Sequence, residues 1–226
     1  MNAFDALKFL GELRENNQRE WFAAHKAAYE EARAVFEYSV QKLLKGLSEL
    51  DSELTGLEAK DCVFRIYRDV RFSHDKSPYK THFGAYLARG GRKSARAGYY
   101  VHWEEGKSML VGGLWCPEPE PLKIVRQSVF DNEDELIDIF ENKSFSAHFQ
   151  DFDRDDMLKR MPTAFLNVSC KRPEWLKLKS FVVVEGKEDA FFQQNDWEQQ
   201  ALQTLSAAYP LNHFLNYSLD EAAGLV

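Results

Sequence analysis

One stripe of side chains constrains this chain more than any other feature. Trp21, Phe22, His25, Ala28, Tyr29, Ala32, Val35, Phe36, Val40, Leu43, Leu44 and Leu47 recur at the three- and four-residue spacing of a helix face. About thirty residues at ~1.5 Å each make a rod of roughly 45 Å, which must lie across most of a domain. Asn17, with Glu20 three residues on, reads as its N-cap, and the stripe ends near Gly46. Glu30, Glu31, Arg33, Glu37 and Lys42 keep the opposite face wet. A shorter helix carrying Phe4, Leu7, Leu10 and Leu13 precedes it.

Beyond the turn-like stretch 51–56 the period drops toward two. Phe64, Ile66 and Val70 alternate with Arg65, Tyr67, Asp69 and Arg71, which predicts a strand with Arg68 on its apolar side. Three more strands are expected at 82–88, 98–104 and 107–116, with Glu105-Gly106 as the hairpin turn between the last two. On that register Tyr100 and His102 share one face, and Tyr99, Val101 and Trp103 the other. Both faces are largely apolar, so both should be covered, one of them by the long helix. Pro121 suits the first turn of a helix, Asn132 the cap of a second, and 181–185 a short buried strand. Helices through Ala208 and around Phe214 follow. The expected fold is α+β, a single domain 1–226 in three segments. A helical segment (1–50) crosses a central antiparallel sheet within a basic core (62–116), and the mostly helical remainder (120–226) flanks it.

The net charge of −7 argues against a dedicated nucleic-acid binder, yet it hides an asymmetry. Residues 60–107 hold eleven Lys/Arg against five Asp/Glu, a local +6 that leaves −13 for the rest. No apolar run is long enough for a membrane span, and the N-terminus lacks the features of a secretion signal. Cys62, Cys116 and Cys170 stand far apart in apolar company, which predicts buried, reduced thiols in a cytoplasmic protein.

Chemistry concentrates in the basic core. Long cations are costly among apolar side chains unless paired or holding a ligand, so Arg65, Arg68, Arg71, Lys76 and Lys80 are candidate anion-binding residues. Asp69, Asp75, Tyr79, Tyr100 and His102 are candidates for orienting the ligand or moving a proton. An Arg/Asp network that only braces the fold explains the same arginines equally well. The loop Arg89-Gly-Gly-Arg-Lys-Ser-Ala-Arg96 could close over an anion or simply be a soluble hairpin tip; it lacks the spacing of a phosphate-binding P-loop. Ser73-His74-Asp75 is no triad, because consecutive residues do not converge on one atom. His74, His82 and His102 have no metal-ligand spacing, so no metal is expected. The acidic run 151–156 lacks the glycine and closing glutamate of a calcium loop, and Trp115, Trp175 and Trp197 read as core anchors.

Two long motifs carry a family resemblance. Asn16-Asn-x-Arg-Glu-Trp-Phe-x-x-His-Lys-x-x-Tyr29 and Arg65-Ile-Tyr-Arg-Asp-Val-Arg-Phe-Ser-x-Asp-Lys-Ser-Pro-Tyr-Lys80 resemble the bacterial domain of unknown function 2461 family. Similarity continues through 98–102, Gly112-Gly113 and 191–197; the chain departs from the family pattern in the 90–96 loop. The resemblance implies one domain in a bacterial cytosol and brings no activity, cofactor or site residue with it. Three functions stay open: a basic pocket for a phosphorylated or carboxylated small molecule, a nucleic-acid contact through residues 89–96, and an interaction module braced by its arginines. Cofactor, reaction and oligomeric state are undetermined by the sequence.

Overall fold

In the computed structural model, which describes residues 1–225, the N-terminal stripe folds as two helices in place of one. Helix α1 (Ala3–Glu15) is closed at its start by Asn2, whose side chain accepts from the Asp5 N–H while Asp5 reaches back to the Asn2 N–H. Then come α2 (Arg19–Ala24) and α3 (Lys26–Ser48), separated at His25 (φ −108°, ψ 21°). The His25 ring stacks on Trp21 at 4.0 Å and its Nδ1 lies 2.8 Å from the Trp21 carbonyl, so a side chain takes up the end of α2. The continuous rod is therefore the 23 residues of α3, about 35 Å. Asn17 caps neither helix. Its amide bonds both backbone groups of Tyr79, donating to the carbonyl at 3.0 Å and accepting from the N–H at 3.1 Å.

After the short α4 (Ala59–Cys62), the expected strand at 64–71 is replaced by an extended, bent segment. An isolated bridge from Val63 to Ala85 joins it to β1, and a second, from Tyr67 to Tyr79, pairs it with the chain that leads into β1. The regular strands are β1 (Phe83–Leu87), β2 (Gly98–Trp103), β3 (Ser108–Leu114) and, after α5 (Pro119–Asp131), α6 (Glu133–Glu141) and α7 (Lys143–Ser146), β4 (Phe181–Lys187). They form one antiparallel sheet in the order β1-β2-β3-β4. Helices α8 (Trp197–Ala207) and α9 (Tyr209–Ala222) complete an α+β fold. The turn at Glu105-Gly106 is as expected, closed by the Lys107 N–H on the Glu104 carbonyl at 2.9 Å. Among the described residues no helix is long and apolar enough to cross a membrane.

The residues group into two compact units. The first holds Met1–Arg92, Tyr100–Leu110 and Gly186–Gln203. Its core is aromatic: Phe36 of α3 lies 5.4 Å from Phe83 and 4.9 Å from Trp103, and Trp103 meets Phe192 and Trp197 at 5.2 and 5.4 Å. This is the expected cover of one sheet face by the long helix. The second unit holds Lys93–Tyr99, Val111–Glu185 and the chain from Thr204 onwards. Phe140, Phe145, Phe152, Trp175 and Phe181 form its core, with Asp151 accepting from the Trp175 indole at 2.9 Å. Trp175 and Trp197 are buried as expected, but Trp115 is 73% exposed. Of the cysteines only Cys62 is buried; Cys116 is exposed and Cys170 intermediate, because the chain around each leaves the sheet or runs irregularly.

Candidate functional site

Alternation along β2 sends Tyr99, Val101 and Trp103 into the core and sets Tyr100, His102 and Glu104 side by side on the other face. There they form a hydrogen-bonded chain: Tyr100 Oη is 2.9 Å from His102 Nδ1, and His102 Nε2 is 3.1 Å from Glu104 Oε2. The Thr81 hydroxyl donates to the other carboxylate oxygen of Glu104 at 3.0 Å. His82, just before β1, stacks on His102 with ring centroids 4.5 Å apart. Neither ring nitrogen of His82 has a hydrogen-bond partner among the described residues. Gly84 of β1 is the floor under Tyr100: a Cβ there would stand 2.6 Å from the phenol oxygen, so glycine lets the hydroxyl reach His102.

Lys80 completes the cluster. Its backbone N–H is held by the Ile66 carbonyl at 2.8 Å, next to the Tyr79 unit that Asn17 clamps. The side chain is half-buried, with its ammonium 5.2 Å from the centre of the Phe64 ring. It meets no carboxylate among the described residues.

The electrostatics follow from burial and neighbours. Burial, then His102 and Lys80 nearby, push His82 down to about 4. Burial also lowers His102, against the upward pull of Glu104. Burial pushes Glu104 up, but the bonds from His102 and Thr81 prevail and hold it below its ordinary value. Tyr100 is raised to about 12 by burial and by Glu104. Lys80 is lowered by burial and by Arg65. At neutral pH the arrangement is therefore an ionised Glu104 accepting from a neutral His102, whose Nδ1 accepts the Tyr100 O–H. Perturbed groups gathered in this way mark functional sites more often than plain surface.

The five cations expected to share one pocket do not do so. Arg71 is exposed and chelated by Asp69, its Nη2 2.6 Å from Oδ2. Arg68, half-buried, is paired with Asp75, whose carboxylate is held far below its usual range by Ser77 and Arg68. Lys76 is exposed and donates to the Val70 carbonyl at 3.0 Å. Arg65 is exposed and makes no hydrogen bond or ion pair among the described residues, but it stands close enough to Asp69 and to Lys80 to help lower both. Tyr79 is buried, stacked on Phe22 at 3.9 Å, and so packs instead of facing the cluster. In the 89–96 loop Arg92 donates to the Lys60 and Asp61 carbonyls, and Arg96 is bidentate with Asp220 at 2.6 and 2.8 Å. Clefts of about 410 Å³ (lined by Met1, Tyr38 and Trp197 among others) and about 420 Å³ (by Ser52, Leu57 and Arg89 among others) include none of the candidate residues.

Of the ten residues singled out in the sequence, the structure brings Lys80, Tyr100 and His102 to this face, and it adds His82 and Glu104, which were not among them. Glu104 was legible from the i, i+2, i+4 spacing Tyr100, His102, Glu104 on one strand. His82 stands in the sequence only in the set His74, His82 and His102, of which the structure stacks His82 on His102 and leaves His74 exposed in the 68–77 loop.

Fold and site together define an α+β protein with a titratable, partly open face on an antiparallel sheet. Residues 5–214 match the family described as conserved hypothetical protein DUF2461, and the chain belongs to that family. No curated protein and no solved structure matches it.

Proposed function

We propose that the face formed by Phe64, Lys80, His82, Tyr100, His102 and Glu104 binds a small phosphorylated or carboxylated molecule. Lys80 holds the anion, Arg65 adds charge from the rim, and the Tyr100–His102–Glu104 chain orients the ligand and handles protons. The observation that carries this reading is Lys80: a half-buried ammonium, facing ionisable side chains, with no carboxylate to satisfy it. A point charge of that kind suits phosphate and carboxylate oxygens. Arg71 and Lys76 are satisfied locally and lie outside the reading.

The test is a thermal-shift screen of phosphate, pyrophosphate, citrate and phosphorylated metabolites. A ligand at a hundred times its Kd stabilises the folded chain by about 2.7 kcal/mol, a readily measured shift. At least one anion is expected to give such a shift in the wild type and in Arg71→Ala, and none in Lys80→Met. Equal shifts in wild type and Lys80→Met would refute the assignment.

A further inference from the structure

We propose that His82, His102 and Glu104 are the protein ligands of a divalent first-row transition metal ion. One ligand atom from each lies within 4.8 Å of the others. Bonds of about 2.0–2.2 Å to a tetrahedral ion place ligand atoms about 3.3 Å apart. His102 Nε2 and Glu104 Oε2, at 3.1 Å, already stand at that separation. The remaining approach belongs to His82, whose half-buried ring has no hydrogen bond to break.

The donor set decides the kind of ion. Two imidazole nitrogens and one carboxylate suit zinc, iron, cobalt or nickel, whereas calcium and magnesium favour oxygen alone. Three protein ligands leave at least one position for water or a bound molecule, the pattern of a working site and not of a closed structural one. His82 and Glu104 are both only partly buried, which leaves that position accessible.

A second shell is already in place. For His102 to offer its Nε2 lone pair, its proton must sit on Nδ1, where the Tyr100 oxygen, 2.9 Å away, turns from donor to acceptor. The change is a tautomer shift within a neutral ring, with no net proton released. Thr81 holds the second oxygen of Glu104 and leaves the first for the ion.

The metal reading rests on His82, His102 and Glu104, and the anion reading on Lys80, so either can fail alone. Full-length protein, stripped with a chelator and dialysed into phosphate-free buffer, is titrated with Zn²⁺ by calorimetry and with Co²⁺ by visible absorption. One ion per chain and a cobalt ligand-field band are expected. Both are lost in His82→Ala and His102→Ala, and Tyr100→Phe weakens binding by about 10- to 100-fold. His74→Ala leaves the titration unchanged, and Lys80→Met, which removes a nearby positive charge, does not weaken it. His82 precedes β1 and is partly exposed, so His82→Ala with an unchanged circular dichroism spectrum decides the matter even where the His102 variant disturbs the sheet. Absence of stoichiometric binding in the wild type, or an unchanged titration in His82→Ala, overturns the proposal.

Discussion

Gly113→Ala is expected to lower the melting temperature by roughly 10 °C. Gly113 adopts φ +121°, a conformation that side chains rarely take. A Cβ there would overlap the Phe181 carbonyl oxygen and stand 2.8 Å from the Val182 Cα, so the obstacle is the backbone of β4 and not a side chain that can swing away. Left-handed strain costs about 1–3 kcal/mol and overpacking a similar amount, which together make about 3–5 kcal/mol. At this chain length each kcal/mol is worth about 2–4 °C. Gly186→Ala is the control, because a Cβ there meets nothing within 4 Å; its change should stay within about 0.5 kcal/mol. Differential scanning calorimetry of the two variants checks the pair. A Gly113→Ala protein that melts with the wild type would mean that β3 and β4 do not approach each other this closely.

Lys80→Met should change two properties in opposite directions. The variant keeps the apolar stem that packs beside Phe64 and removes a half-buried ammonium whose desolvation no carboxylate offsets. The melting temperature of the free protein therefore rises by a few degrees, while the stabilisation given by an anionic ligand disappears. Gain of stability with loss of function is what a residue retained for binding shows. A lysine that only braced the fold would behave otherwise, its removal lowering the melting temperature with no ligand present. Melting curves of wild type and variant, with and without the best anion from the screen, separate the two cases. The contrast with Arg68 is direct: its guanidinium is already paired with Asp75, so truncating it removes an ion pair and relieves no unpaired charge.

The sheet was legible in the sequence for a simple reason. Tyr99, Val101 and Trp103 alternate with Tyr100, His102 and Glu104, and a period of two names the faces as soon as the strand is recognised. The break in the long helix was not legible, since His25 is no helix breaker. What interrupts the helix is its ring, seated on Trp21 and on the Trp21 carbonyl, and spacing carries no sign of that contact. The arginines misled through the same period-two rule. Residues 65–71 alternate like a strand, yet Asp69 lies two residues from Arg71 and Asp75 seven from Arg68, near enough for the loop to satisfy its own charges. His82 meets His102 only because β1 and β2 are neighbours in a particular register, which a single sequence does not specify. Asn17, in the first family motif, holds Tyr79 of the second and so sets the backbone from which Lys80 projects. Its spacing to Glu20 resembles a helix cap, and the competing long-range partner lies sixty-two residues away.

A crystal structure of the protein grown in phosphate decides whether Lys80 holds an anion. A phosphate is expected within hydrogen-bonding distance, about 2.7–3.2 Å, of the Lys80 ammonium, on the face that carries Tyr100, His102 and Glu104. A Lys80 ammonium bound instead to a carboxylate of its own chain, with that face empty and phosphate only at the Arg71 and Lys76 surface, would contradict it.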